Sequence, residues 1–154
     1  MRVSAGILFF RRTGNGLEVL LAHPGGPFFE RRDVGHWTIP KGEPNAQEPI
    51  EEAARREFLE EIGQHLPGGP WHELGSIVQK GGKVVHAWGV EGDMDPELAR
   101  SETFEIEWPP KSGMTQSFPE IDRVAWFDPI EARRRIKPAQ VPLLDRLEEA
   151  IASG

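Results

Sequence analysis

The sequence contains no cysteine and no tyrosine among its 154 residues, and it has no apolar run as long as a membrane span. Without cysteine, a disulfide framework, a thiolate zinc site and a cysteine nucleophile are all excluded. No signal peptide is apparent after Met1, and the stretch that follows is typical of a strand. We therefore expect a cytoplasmic protein with no membrane partner.

Positive charge is also scarce, because 18 Lys and Arg face 25 Asp and Glu, for a formal net charge of −7. Binding to long nucleic acids needs many phosphate contacts from Lys and Arg, so no such partner is expected. A small polyanion would be repelled too, unless bound cations offset the charge at its site. The length and the 38% hydrophobic content predict one domain, residues 1–154.

Residues 42–64 are the most informative stretch, because they begin as a loop and continue with the period of a helix. Pro49 is expected at the first helical position, where its missing N–H costs nothing, and Gly63 is expected to end the helix. At about 100° per residue, one side of the helix carries an apolar ridge made of Ile50, Ala54, Phe58 and Ile62. The helix should therefore pack against the core along that ridge.

Three carboxylates, Glu57, Glu60 and Glu61, lie beside this ridge within one helical turn. Next to buried surface they repel one another unless a cation lies between them. One interpretation is a solvated helix face whose acids pair with Arg55 and Arg56. The other is a cation site, and an all-oxygen donor set suits Mg²⁺ or Mn²⁺ rather than structural zinc.

The remaining elements follow from alternation, turn residues and caps. Strands are expected at residues 3–10, 17–22, 37–42, 74–79, 83–90, 103–108 and 124–127. Residues 109–119 are expected to form a flexible loop that borders the site. Asp128 and Glu131 form a capping box that starts a helix, and residues 142–152 are expected to form a terminal amphipathic helix.

A fixed spacing of polar and glycine residues decides between the two interpretations of the acidic helix. The pattern G-x5-E-x7-R-E-(apolar)-x-E-E-x-G is filled by Gly42, Glu48, Arg56, Glu57, Glu60, Glu61 and Gly63. It resembles the Nudix box of the Nudix hydrolases. The last box position is usually apolar and is Gln64 here, a departure that bears on packing rather than on chemistry. The preceding W-x-x-P-K-G is similar to that of members acting on dinucleoside polyphosphates.

This resemblance implies the Nudix fold, an α/β architecture in which a mixed β-sheet is sandwiched between helices. It implies Mg²⁺ as cofactor, with Mn²⁺ as the alternative, held by Glu57, Glu60 and Glu61. In the family a backbone carbonyl at the start of the box joins the metal shell, which here implies Lys41 or Gly42.

A fourth carboxylate, Glu120, lies six residues before Trp126. Several Nudix hydrolases have a glutamate at this offset, where it joins the metal cluster or serves as base. Either Glu120 or a carboxylate within the box would accept the proton of the attacking water.

The other box residues have supporting roles in this interpretation. Gly42 and Gly63 permit the backbone geometry that the box needs. Arg56 orients a neighbouring glutamate, and Glu48 ties the loop to the start of the helix.

Substrate contacts are expected from residues inside and outside the box. Lys41 is placed to contact phosphate, and Lys83 and the pair Arg31 and Arg32 are further candidates. Without tyrosine, stacking on a base must use Phe or Trp, and the candidates are Phe28, Phe29, Trp37 and Trp108. A loop that is merely anchored by its two phenylalanines is an equally open interpretation of residues 23–35.

The preferred hypothesis is a divalent-metal-dependent pyrophosphohydrolase that cleaves a P–O–P bond in a nucleoside diphosphate derivative. A small dinucleoside polyphosphate resembling diadenosine tetraphosphate is favoured as substrate. The alternatives are a nucleoside triphosphate, another nucleotide or a diphosphoinositol. A non-catalytic Nudix-fold nucleotide sensor is the hypothesis from a different class, and the retained box acids disfavour it. The resemblance is also compatible with a homodimer.

Overall fold

A computed structural model describes residues 2–153, which form eight strands, three helices and two short 3-10 turns. The strands are β1 (Val3–Thr13), β2 (Gly16–Pro24), β3 (Lys41–Gly42), β4 (Trp71–Val78), β5 (Val84–Glu91), β6 (Thr103–Glu107), β7 (Thr115–Pro119) and β8 (Ile121–Phe127). The helices are α1 (Ile50–Ile62), α2 (Pro129–Arg135) and α3 (Val141–Ser153), and the 3-10 turns are Pro96–Leu98 and Pro138–Gln140.

Six strands form one mixed sheet in the order β4-β5-β1-β2-β8, with the short β3 beside β1. β1 runs parallel to β5 and antiparallel to β2 and β3. Gly42 on β3 pairs with Ala5 of β1, so the start of the box is attached to the middle strand of the sheet. β6 and β7 form a separate antiparallel hairpin.

Alternate residues of β1 point to opposite faces of the sheet, and each face carries its own core. Leu8 and Phe10 belong to the cluster that includes the buried leucines of α3. Ile7 and Phe9 belong to the cluster that includes Phe58 and the other buried residues of α1. Because helices cover both faces of a mixed sheet, the predicted α/β/α sandwich is confirmed.

Helix α1 begins one residue later than predicted and ends at Gly63 as predicted. Pro49 lies just before the helix with extended backbone, φ −59° and ψ 142°, and Ile50 is the first helical residue. Ile50 is 37% exposed, so the buried side of α1 consists of Ala53, Ala54, Phe58 and Ile62. Gly63 ends the helix at φ +80°, and its N–H donates to the carbonyl of Leu59 at 2.8 Å.

Two expectations are wrong in part, one for a loop at residues 109–119 and one for a strand at residues 37–42. Residues 115–119 are not loop but strand β7, in which Phe118 pairs with Phe104 of β6. A short polar strand shows little alternation of polar and apolar residues, and it is stabilised by pairing with another strand, here β6. Most of residues 37–42 is irregular, since only β3 is a strand and Thr38 makes an isolated bridge to Ala22.

The other expected strands are confirmed within a few residues of their predicted bounds. Helix α2 begins after Asp128, whose side chain accepts a hydrogen bond from the N–H of Glu131 at 2.8 Å. Helix α3 buries Leu143, Leu144 and Leu147. None of the helices within residues 2–153 has the length and apolar character needed to cross a bilayer.

Phe58 anchors α1 to the sheet, because it is fully buried and its ring centroid lies 5.2 Å from that of Phe9. Phe58→Ala should lower the free energy of unfolding by about 3–5 kcal/mol, since it removes buried surface and leaves a cavity. The neighbouring Leu59 is 37% exposed, so Leu59→Ala should cost about 1 kcal/mol or less. Urea denaturation of the two variants tests this, and equal losses would contradict the packing described.

Candidate active site

Five carboxylates and one lysine surround a cavity of about 260 Å³ between α1, β3 and the base of the β6–β7 hairpin. We call it the carboxylate cavity, and it is lined by Lys41, Glu57, Glu60, Glu61, Glu102 and Glu120. All four carboxylates that the sequence singled out therefore line one space. Glu102 was missed by the sequence analysis.

The start of the box holds α1 closely against β3. The N–H of Lys41 donates to Glu61 Oε2 at 2.8 Å, which fixes one oxygen of that carboxylate. A β-carbon on Gly42 would collide with the carboxyl group of Glu57. Gly42 therefore allows the strand to pass directly against the Glu57 side chain.

Arg56 connects the acids of α1 to the loop that precedes it. Its Nη1 donates to Glu57 Oε1 at 2.9 Å and to Glu60 Oε2 at 2.8 Å. Its Nε donates to Glu48 Oε2 at 3.0 Å, and its Nη2 donates to the carbonyl of Glu43 at 3.1 Å. One guanidinium thus orients two carboxylates of the cavity and holds the loop.

Burial makes the ionised form of the central carboxylates costly. Burial, and after it the neighbouring charge of Glu57, raise the pKa of Glu61 to about 8, against the hydrogen bond from Lys41. Burial raises the pKa of Glu57 as well, although Arg56 opposes it. Two neighbouring acids with raised pKa values are typical of functional sites. Placing them together lowers the stability of the fold, so the arrangement indicates a role other than stability.

The β6–β7 hairpin brings Glu102 and Glu120 to the end of α1 through backbone hydrogen bonds. The N–H of Glu102 donates to the carbonyl of Glu60, and the N–H of Glu120 donates to the carbonyl of Glu102, both at 2.9 Å. The N–H of Arg100 donates to the carbonyl of Ile62 at 2.8 Å. These bonds satisfy carbonyls at the end of α1 that have no partner inside the helix. No spacing in the sequence relates Glu102 to the box, so only docking of the hairpin reveals it.

The predicted substrate residues are not all found together. Lys41 lines the carboxylate cavity, and Lys83 lies close enough that its charge lowers the pKa of Lys41, after the larger effect of burial. Arg31 and Arg32 are exposed on the loop of residues 23–35 and line none of the carboxylate cavity. Their role in binding phosphate stays a prediction.

The candidates for base stacking divide into exposed and buried rings. Phe28 is 60% exposed and meets Trp108 edge to face, with 5.5 Å between ring centroids, and Phe29 is also exposed. Trp37 is 3% exposed, and its Nε1 donates to Asp33 Oδ1 at 2.7 Å. The expectation that Trp37 could stack on a base is therefore wrong, because its ring belongs to the core.

A family model described as the NUDIX domain matches residues 1–147. The chain belongs to the Nudix family of hydrolases. No curated protein shows significant sequence similarity to it.

Solved structures with the same fold cover nearly the whole of this Nudix domain. A Caenorhabditis elegans Ap4A hydrolase in a binary complex has a TM-score of 0.67 and 17% identity, covering 98% of this chain and 99% of that one. The NUDIX domain of Shewanella oneidensis NrtR complexed with ADP ribose has a TM-score of 0.68 and 14% identity, covering 98% and 88%. A mutT/nudix family protein from Listeria innocua has a TM-score of 0.62 and 17% identity, covering 99% and 94%.

Nudix enzymes generally use divalent metals, and the donor set of this Nudix domain fits one. In each of the three glutamates one carboxylate oxygen accepts a hydrogen bond. Arg56 donates to Glu57 Oε1 and Glu60 Oε2, and the N–H of Lys41 donates to Glu61 Oε2. The other oxygen of each carboxylate accepts no hydrogen bond within residues 2–153. In the same part of the chain, no three acidic or histidine side chains converge closely enough to enclose an ion. To hold a cation jointly, these carboxylates would have to come closer together than they lie in this structure.

The raised pKa of Glu61 predicts how stability depends on pH in metal-free protein. Its folded pKa of about 8 exceeds the ordinary value of 4.5, so the stabilisation from the bound proton is lost as pH rises between these values. Glu61→Gln stays neutral and can still accept the bond from Lys41. The variant should match wild type near pH 4.5 and exceed it above pH 8 by roughly 2–5 kcal/mol, since one pKa unit is about 1.4 kcal/mol.

Thermal or urea denaturation in EDTA at several pH values measures this difference. Glu149→Gln on the exposed side of α3 is the matched control and should follow wild type throughout. A constant difference between Glu61→Gln and wild type from pH 4.5 to pH 8.5 would contradict the assignment.

The close approach of Gly42 to Glu57 predicts a selective loss of metal affinity. Gly42→Ala should displace the Glu57 carboxylate and weaken Mn²⁺ binding by roughly tenfold or more, a loss typical of disturbed metal-site geometry. Gly68→Ala faces open space and should bind Mn²⁺ like wild type. Calorimetric titration compares the two, and unchanged affinity in Gly42→Ala would refute the expected participation of Glu57.

Proposed function

We propose that the chain is a divalent-metal-dependent pyrophosphohydrolase acting on a P–O–P bond of a dinucleoside polyphosphate. The observation that carries this proposal is the carboxylate cavity, where five acids meet Lys41 beside the end of α1. Family membership supports a nucleotide pyrophosphohydrolase in general. The W-x-x-P-K-G segment and the structural similarity to an Ap4A hydrolase support the choice of substrate.

In this proposal Glu57, Glu60 and Glu61 hold Mg²⁺ or Mn²⁺, with the carbonyl of Lys41 or Gly42 as a further ligand. A bound divalent cation supplies charge neutralisation on the phosphates and activation of water. Lys41, which lines the same cavity, donates to a phosphate oxygen.

The proton of the attacking water needs an acceptor within hydrogen-bond reach. We assign this role to Glu120, because it is exposed at the base of the hairpin and makes no side-chain hydrogen bond within residues 2–153. Glu102 lies beside it and contributes further negative charge that favours the cation.

Arg56 keeps the acids in position between turnovers in this proposal. Its guanidinium bonds balance the charges of Glu57 and Glu60 while no cation is bound. When those carboxylates turn to the cation, Glu48 remains a partner for Arg56, so that the guanidinium does not become an unpaired, half-buried charge.

A nucleotide sensor is the second candidate, favoured by similarity to the NUDIX domain of NrtR, which was solved with ADP ribose. A sensor needs no metal-dependent cleavage. The retention of every box acid supports the enzyme over the sensor, since uncompensated buried charge is costly.

Hydrolysis of a nucleotide panel with and without Mg²⁺ or Mn²⁺ tests the proposal. Diadenosine tetraphosphate, ATP, ADP-ribose and a diphosphoinositol cover the substrate alternatives, and mass spectrometry of products formed in ¹⁸O-labelled water locates the broken bond. Glu120→Gln should lower kcat by roughly a hundredfold or more, as expected for loss of a general base.

The exposed Glu149→Gln should retain full activity in the same assay. Glu61→Gln should reduce both hydrolysis and Mn²⁺ affinity, which separates metal binding from proton transfer. Nucleotide binding without metal-dependent product formation would overturn the enzyme and support the sensor.

A further inference from the structure

Three of the five lysines in the sequence line one cavity, and two of these three lie close enough to Lys41 for their charges to lower its pKa. Lys80, Lys83 and Lys137 line a neighbouring cavity of about 560 Å³, together with Gln79, Pro138 and Ala139. The two spaces lie near each other, because the charges of Lys83 and Lys137 act on Lys41, which lines the carboxylate cavity. We call this second space the lysine pocket.

None of these four lysines forms an ion pair within residues 2–153, although the charges of Glu61 and Glu57 act on Lys41. Every ion pair that a lysine or arginine forms within residues 2–153 uses an arginine. A protein of net charge −7 has ample carboxylates for pairing, yet its lysines converge on one another. Converging ammonium groups repel, so their arrangement is favourable only when an anion lies among them.

The walls of the lysine pocket are held by a fully buried side chain, Gln140. Its Nε2 donates to Gln79 Oε1 at 2.7 Å, and its Oε1 accepts the N–H of Ile39 at 3.0 Å. The N–H of Lys137 donates to the carbonyl of Trp37 at 2.8 Å. The β4–β5 turn and the segment before α3 are therefore tied to the chain that leads into Lys41.

Burial adds to the cost of this arrangement. It lowers the pKa of Lys137, and the charge of Lys83 lowers it further. Lys137 is half-buried and Lys83 is exposed, so the pocket has a closed end and an open end.

We propose that Lys41, Lys80, Lys83 and Lys137 form a subsite for phosphate groups of the substrate that lie beyond the hydrolysed linkage. A substrate with a longer phosphate chain then gains contacts that a diphosphate cannot make. This inference rests on the proposed function, since it assigns a substrate class to the same active site. It predicts that the enzyme prefers compounds with four phosphate groups over compounds with two.

Binding of inorganic tripolyphosphate tests the subsite without catalysis or metal. By calorimetry in EDTA, the double variant Lys83→Gln/Lys137→Gln should lose roughly a hundredfold in affinity, about tenfold for each charge-assisted hydrogen bond. Lys111→Gln is the matched control, because this exposed lysine lies in the β6–β7 turn, and it should bind like wild type. Glu61→Gln should also retain tripolyphosphate binding.

Lys83→Gln alone provides a variant on an exposed turn, where no packing is disturbed. It should lose about tenfold in affinity with an unchanged melting temperature. Unchanged tripolyphosphate affinity in this variant, or an equal loss in Lys111→Gln, would overturn the subsite.

Steady-state hydrolysis then links the subsite to substrate choice. The double variant should lower kcat/KM for diadenosine tetraphosphate by roughly a hundredfold and that for ADP-ribose by less than about threefold. Equal losses on both substrates would overturn the inference. If wild type hydrolyses neither compound while tripolyphosphate binding responds as expected, the proposed function fails and the anion subsite stands.

Discussion

Repulsion among carboxylates at the end of α1 is the constraint on which the rest of the site depends. Glu57, Glu60 and Glu61 lie side by side because helix geometry places them there, and burial makes the charges of Glu57 and Glu61 more costly. Arg56 relieves part of the repulsion by bonding to two of them. A divalent cation bound among these acids would relieve the remaining repulsion.

The sheet provides the rigidity that keeps these acids together. α1 packs along one face through Phe58, while β3 is attached to the middle strand and passes directly against Glu57. α3 covers the other face of the sheet. Movement of the helix relative to β3 is therefore resisted by a continuous apolar core and by the bond from Lys41 to Glu61.

The site has an acidic side lined by glutamates and a basic side lined by lysines, and the two lie close together. Glu102 and Glu120 extend the acidic side through the β6–β7 hairpin, whereas the lysine pocket extends the basic side beyond Lys41. The two sides suit the two parts of a metal–polyphosphate complex, in which a cation and unneutralised phosphate oxygens lie next to each other. An overall net charge of −7 conceals this local division.

The sequence by itself determined the features that lie within one element. The box spacing predicted a helix that buries Phe58, presents three adjacent glutamates and ends at Gly63, because the helical repeat fixes which side chains are neighbours. Only the tertiary structure decided which distant residues join them. Glu102, Lys137 and strand β7 reach the site through packing and long-range hydrogen bonds, and Trp37 is buried by contacts with distant segments. Such contacts depend on how elements dock, which no local spacing encodes.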